Sequence, residues 1–340
     1  MPILLLGLVL LLLIECKSAI IVHICGESRK IKVNRAIITG TTGAIGMALI
    51  RELLDKGFEV QVIVRPDSNR LDRLPVHERL YVLRCPLDAL DTVTKEEIGS
   101  FDICYHLAWV GTIGPQRDDM SLQLKNVQYT LDAVYMAHRL NCKVFVGAGS
   151  QAEYGIVEGK LSSKTPVNPE MGYGIAKLCA GQMSRLECRR LGLRHEWTRI
   201  LSIYGPYDGE STMIISGIRQ MLRGQRPSFS KGEQQWDYLY SQDAARALYL
   251  IALKGKDGAV YPLGSGEAYP LYEYIETMRV SIDKKLEVGI GEFPYGERQV
   301  MYLCADIKEL TEDTGFVPFV SFKEGIQNTI DWCKKTEDTK

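Results

Sequence analysis

The 340-residue sequence predicts an α/β fold: a doubly wound parallel sheet with helices on both faces and a smaller C-terminal lobe. Three observations carry this. A short apolar strand at residues 35–39 enters the glycine-spaced turn Gly40-x-x-Gly43-x-x-Gly46 and leaves as a helix over 47–54. Strand-length β-branched runs then alternate with helix-length runs as far as residue 205. Past that point the alternation loosens into helices with short strands between them.

The turn matters first because its chemistry lies in the backbone. Glycine permits a tight turn, lets main chain approach a pyrophosphate, and lets the helix sit close to the strand. Unpaired N–H groups at the helix start face the phosphates. Gly40, Thr42, Gly43, Ala44, Ile45 and Gly46 are therefore candidate cofactor-binding residues of a Rossmann-type sheet.

The run FEVQVIV at 58–64 is β-branched and of strand length, and 80–83 and 102–107 read as the next strands. A helix is expected over 122–140, with Val127, Leu131, Val134 and Ala137 as apolar positions. A fifth strand follows at 143–147, a long helix at 171–191, and a sixth strand at 194–203 that ends at Tyr204-Gly205-Pro206. The later helices are expected at 214–223, 244–252, 271–282 and 322–334. The organisation predicted is an apolar extension at 1–32, a dinucleotide-binding domain at 33–205 with 235–262 returning to it, and a mainly substrate-binding lobe at 206–335.

Composition narrows the function. Hydrophobic residues make up 46% and charged residues 24%, and the formal net charge of -1 gives no field for nucleic acid or an anionic membrane. Nine cysteines, an odd number with no CxxC, suit reduced thiols rather than a disulfide framework. Five scattered histidines make no ligand spacing, so no metal is expected. Residues 3–14 are nearly all apolar, yet no Lys or Arg precedes them, no small-residue cleavage site follows, and the run is too short to span a bilayer. The expectation is a dispensable extension on a cytoplasmic protein, with a membrane anchor as the alternative.

The catalytic constellation stands later in the chain. Tyr173 and Lys177 are four apart at the start of the long helix, hence on one face. A phenol with an ordinary pKa near 10 is a poor acid-base group at neutral pH, and an ammonium one turn away favours its ionised form. Ser150, where the fifth strand stops, can donate a hydrogen bond to a carbonyl or alkoxide beside that tyrosine; its alternative is a turn cap. At the tip of the second strand stands Arg65 instead of an acid, which favours NADP(H) over NAD(H) because an arginine accommodates a 2′-phosphate.

Taken together these residues resemble the extended short-chain dehydrogenase/reductases, the group of sugar-nucleotide epimerases, dehydratases and reductases. The resemblance spans residues 34–335. It rests on TGTTGAIG at 39–46, YHLAWVGT at 105–112, Asn126, SQAEYG at 150–155, YGIAK at 173–177, RILSIYGP at 199–206, QQWDYLYSQDAARA at 234–247 and SFKEGIQNTIDW at 321–332. It implies hydride transfer to or from a sugar carbon, with Tyr173 as acid-base and Lys177 binding the cofactor ribose. Leu107 and Ala108 would line the nicotinamide side, and Asn126 would support the cofactor site from the helix beneath.

Substrate-side candidates are Trp109, Ser150, Tyr204, Arg223, Trp236 and Arg298. The family pattern is broken in three places. Pro86 stands where an acid usually meets adenine, with Asp88 as a possible substitute; Trp236 replaces one phosphate-binding arginine; and Arg298 is displaced from the position of the other, so Arg223, Arg226 or Arg298 is left to meet the diphosphate. Asp243 reads as a helix N-cap. The family's 4,6-dehydratases carry Asp-Glu after the hydroxyl residue, whereas this chain has Gln151-Ala152. The expected activity is thus reduction of a 4-keto-6-deoxy sugar nucleotide, with 4-epimerisation as the alternative and a non-catalytic dinucleotide sensor as a remote one. The resemblance further implies a homodimer that pairs the two long helices of each copy.

Overall fold

Seven strands form one wholly parallel sheet: β1 (Arg35–Thr39), β2 (Glu59–Val64), β3 (Leu80–Arg84), β4 (Ile103–His106), β5 (Val144–Ser150), β6 (Arg194–Ile200) and β7 (Val260–Leu263). The computed structural model describes residues 35–296 and 299–337, so the expected 1–32 extension lies outside the described residues. The strand order is β3-β2-β1-β4-β5-β6-β7. The chain builds outward from β1 to β3, then returns to the other side of β1 to lay down β4. That reversal opens a crevice at the carboxyl ends of β1 and β4, where open α/β sheets bind ligands.

The helices that matter for the site flank this crevice. Helix α1 (Ala44–Asp55) starts at the glycine turn, with Gly43 as its N-cap. Helix α2 (Met120–Arg139) is started by Asp119, whose carboxylate accepts from the Leu122 amide at 3.0 Å. Helix α3 (Gly172–Leu191) packs along α2 and is stopped by left-handed Gly192. Beneath them Ile37, Phe101, Val134, Leu140, Phe145 and Leu193 form a dry core.

Trp197 of β6 joins α3 to the sheet. Its indole lies in a slot left by Gly147 and Gly149 of β5 and Gly181 of α3, and a Cβ on any of the three would run into it, at 2.6 Å for Gly181. Three glycines thus admit one fully buried ring between helix and sheet.

A second core gathers α4 (Met213–Leu222), α6 (Leu271–Ile282) and α7 (Phe322–Glu337) around Ile214, Ile218, Ile275, Met278, Ile326 and Ile330. Helix α5 (Ser241–Lys254) lies between α4 and α6 in sequence but packs on α1. A short helix at Lys308–Thr314 follows no expected element.

Two expectations need correction. The sixth strand does not run to residue 203: β6 ends at Ile200, the Leu201 amide makes a last bond to Leu263 O, and Ser202–Tyr204 pairs instead with Tyr238–Tyr240. The β pattern continues through a change of partner. Asp243 is not an N-cap; Tyr240 holds that position. Fully buried in the first turn of α5, Asp243 reaches out to the amides of Phe319 (3.0 Å) and Val320 (2.8 Å) and to Arg246 (3.0 Å). Among the described residues no helix is long and apolar enough to cross a membrane.

Candidate functional site

The glycine turn divides its labour. Gly40 has φ +76°, the left-handed region, and a Cβ there would stand 2.5 Å from the Ala108 amide nitrogen. The segment after β4 lies across the tip of β1, with the Leu107 amide on Thr39 O (3.2 Å) and the Ala108 amide on Thr39 Oγ1 (3.3 Å). A Cβ at Gly46 would strike the carbonyl of Gly40, so α1 sits against the turn itself. At Gly43 a Cβ would meet nothing within 4 Å. That open cradle at a helix N-terminus fits a dinucleotide diphosphate.

Two depressions meet across the turn. One of about 300 Å³ is lined by Gly43, Ile45, Ser150, Tyr173, Lys177 and Asp208, with Ala44, Gly46, Leu107 and Trp109 on its walls. The other, about 520 Å³, holds Thr42, Arg65, Ser68, Arg70, Cys85 and Leu87, with Ala108 at its side. They share Gly40, Gly43, Leu107, Trp109 and Thr112, and so form one continuous groove. Arg65 is mostly exposed and only 3.8 Å from Asp67, an ion pair worth little in water. Asp88, the substitute considered for adenine, is exposed on the short 3-10 turn after Cys85, whereas Cys85 and Leu87 face the groove.

At the other end α3 brings in Tyr173 and Lys177. The Lys177 ammonium is buried, donates to Ala148 O at 2.5 Å, and lies 3.8 Å from the centre of the Trp109 ring. Burial pushes its pKa down to about 7, against a smaller upward pull from Glu153. The Tyr173 phenol is raised by burial, while the Ser150 hydroxyl and the Arg117 guanidinium pull it back. Ser150 ends β5. Its Oγ accepts from the Ala152 amide at 3.2 Å as a cap, and it also faces Tyr173.

Beneath Ser150 sits Glu153, fully buried. It accepts from the Ser150 amide (2.8 Å), the Trp197 indole (2.9 Å) and Arg199 (2.7 Å), and so fixes the strand end from below. Trp109 is likewise mounted: its indole donates to Gln123 at 2.9 Å, and Gln123 donates to Gly111 O. Its ring covers Lys177 and stands edge-on to Tyr173, 6.1 Å between centres.

The remaining candidates separate. Asn126 is buried, its amide bonded to both backbone groups of Val110 at 2.9 Å and to Leu122 O. It clamps the loop that borders the groove, and its Oδ1 keeps one acceptor site. Tyr204 is 1% exposed, packed on Tyr240 and Phe322 in the second core, so it cannot meet substrate. Arg223 pairs with Glu337 (3.2 Å) and Arg226 with Glu292; neither lines the groove. Arg298 lies outside the described residues. Trp236, held through its indole to Ser202 Oγ at 2.8 Å, does line a neighbouring cavity of about 310 Å³, together with Arg117, Gln151 and Met171. Arg117 and Asp208 carried no mark in the sequence, the first in a short 3-10 turn (Gly114–Asp118) and the second on an irregular loop, and Glu153 of the SQAEYG motif gains its role from Trp197 and Arg199, remote in the chain.

The model of the NAD dependent epimerase/dehydratase family matches residues 36–264. A dTDP-glucose 4,6-dehydratase of Streptomyces niveus is 26% identical over 319 residues, 88% of this chain and 93% of that protein. A putative UDP-glucose 4-epimerase of Methanocaldococcus jannaschii is 25% identical over 313 residues, 89% of this chain and 99% of that protein. In fold the chain is similar to the UDP-N-acetylglucosamine 4-epimerase of Methanobrevibacter ruminantium, solved with UDP-N-acetylmuramic acid (TM-score 0.81, 21% identity, 90% and 99% of the two chains).

Proposed function

Because the chain belongs to the NAD dependent epimerase/dehydratase family, we propose that it moves a hydride to or from a carbon of a sugar nucleotide, with Tyr173 as acid-base. The observation that carries this reading is the convergence of Ser150, Tyr173 and Lys177 on the groove that runs from the glycine turn. The nicotinamide, when bound, supplies the hydride exchange. Gly43 and the start of α1 would hold its diphosphate, and Lys177 would reach the ribose. Ser150 donates to the reacting oxygen, and Tyr173 gives up or accepts the hydroxyl proton as the carbon is reduced or oxidised. The lobe at 206–335 would supply much of the sugar-nucleotide side, with Trp236 at its edge.

Dehydration fits poorly. It needs a further acid and base beside the sugar, and Gln151 and Ala152 offer neither. Glu153, next along, is turned inward and occupied. Net reduction of a 4-keto-6-deoxy sugar nucleotide remains the leading reading, supported by Arg65, Ser68 and Arg70 at the adenosine end, where NADPH would carry its extra phosphate. Epimerisation at C4 is the second reading, favoured by the match along nearly the whole of a putative 4-epimerase. A panel of keto and hydroxy sugar nucleotides with NADPH and NADH decides between them. Steady consumption of reduced cofactor marks a reductase, interconversion without consumption an epimerase, and neither outcome on any substrate defeats the proposal.

The cofactor preference has its own test. Charge-assisted hydrogen bonds from Arg65 to a 2′-phosphate are worth about 1.5–3 kcal/mol. Arg65→Asp should weaken NADPH binding by about ten- to a hundredfold and NADH far less. Fluorescence titration with both reads the difference; equal losses, or a wild type that prefers NADH, would exclude the assignment.

We also propose that α2 and α3 pair with those of a second copy. Met120 and Leu124 on α2 and Ile175, Met183 and Leu186 on α3 are exposed, Cys179 is half-buried against Met183, and Tyr129 is half-buried. Ala133 of α2 is turned the other way and packs in the core beneath. Burying such apolar area is favourable by about 25 cal/mol per Å², before the cost of association. Met183→Glu should give a monomer with reduced turnover, because the same helix carries Tyr173 and Lys177. Sedimentation of the wild type as a monomer at micromolar concentration would exclude the dimer.

A further inference from the structure

We propose that Arg117 is a positioning residue for Tyr173, a permanent cation held over the phenol ring that makes its ionised form accessible. This rests on the reading of Tyr173 as the acid-base group. The Arg117 guanidinium lies 4.8 Å from the centre of the Tyr173 ring, closer than the Lys177 ammonium at 5.9 Å. Its Nε is buried and has no hydrogen-bond partner among the described residues. The same side chain lines the cavity that continues past Gln151 and Trp236, so it stands on the side where a sugar would enter.

The loop that carries Arg117 is fastened on both sides of it. Asp118 accepts from the amide of Gly172, the residue before Tyr173, at 2.9 Å. Gln123, itself buried, donates to Gln116 O at 2.9 Å. Gly172 permits the approach, since a Cβ there would stand 3.1 Å from Arg117 O and 2.7 Å from Met120 Sδ. These ties hold the Arg117 backbone beside the start of α3, from which its side chain reaches over the phenol.

The charges around Tyr173 explain why a second cation is useful. On its own helix stands Lys177, which burial has brought to a pKa of about 7 and which spends its hydrogen bond on Ala148 O. From the segment after β5 comes Glu153, whose charge opposes ionisation but is taken up by Arg199. Ser150 offers a hydroxyl, Asp118 caps the helix, and Glu170 lines the cavity beside Arg117. A guanidinium keeps its proton throughout the working range. At 4–6 Å an opposite charge favours ionisation.

The test needs neither substrate nor cofactor. Tyrosine labelled with ¹³C at Cζ is incorporated into the full chain, and the Tyr173 resonance is identified by its loss in Tyr173→Phe. In a pH titration, Arg117→Met should raise the ionisation midpoint of that resonance by about one to three pH units. Arg117→Lys, which keeps the charge, should leave it within about half a unit of wild type. An unmoved midpoint in Arg117→Met overturns the proposal, and so does an equal rise in both variants, which would assign the effect to shape. Inactivity toward every sugar nucleotide would defeat the functional reading and leave this titration intact.

Discussion

Replacing Tyr173 with Phe should lower turnover by about 10²–10⁴ and leave cofactor affinity unchanged. The loss is that of one proton transfer. Hydride addition to a carbonyl leaves an alkoxide that must take a proton, and the reverse reaction must lose one; in the proposed reaction the phenol, which faces Ser150, would exchange it. Phenylalanine keeps the ring that packs edge-on to Trp109 and under Arg117, so the fold of the site is preserved. The glycine turn is untouched. Stopped-flow absorbance of the nicotinamide measures turnover, and fluorescence titration measures affinity. Turnover within about threefold of wild type would remove Tyr173 from the acid-base role.

The second large effect separates two glycines that look alike in sequence. Gly46→Ala drives a Cβ into the backbone of Gly40 and Thr41, 2.7 Å from Thr41 Cα, where nothing flexible can yield. Overpacking of that kind costs about 1–3 kcal/mol, so its thermal midpoint should fall by about 2–10 °C while dinucleotide binding is lost. Gly43→Ala meets no protein atom and should melt within about 3 °C of wild type. Its methyl enters the cradle instead, and the lost charge-assisted hydrogen bonds should weaken cofactor binding by about ten- to a hundredfold. Calorimetry and titration of the two variants give the contrast. A Gly43→Ala protein that binds as tightly as wild type would take the diphosphate out of this cradle.

What could be read from the chain was what is local. The glycine turn, the Tyr173–Lys177 spacing and the end of a strand at Ser150 each fix a geometry within a few residues, and they meet in one groove. Residues whose place depends on a distant partner were misread. Tyr204 follows a strand and precedes Gly205-Pro206, which resembles a site rim, but helix α7 offers Gly325 to its hydroxyl and buries it. Asp243 has the composition of a cap, yet its acceptors are claimed by amides more than seventy residues away. Arg117 lies on a loop with no periodicity to betray it; only the knot between Asp118 and Gly172 brings it to the phenol. Arg223 and Arg226 were plausible because arginine binds phosphate, but each is neutralised by a glutamate that arrives later in the chain.

The slot that houses Trp197 has a consequence for how this protein can change. A side chain at Gly147, Gly149 or Gly181 would meet the indole, and at Gly149 the Glu153 carboxylate as well, so the ring and the three glycines depend on one another. A methyl at Gly181 would therefore be harmful beside Trp197 and tolerable beside a leucine there, while that leucine alone would leave a void. The four positions should therefore be coupled, the effect of a substitution at one depending on the residues at the other three. Since Trp197 also donates to the carboxylate that fixes the end of β5, drift at this seat is coupled to the chemistry above it. A substitution at this ring, which does not line the groove, would thus be felt within it.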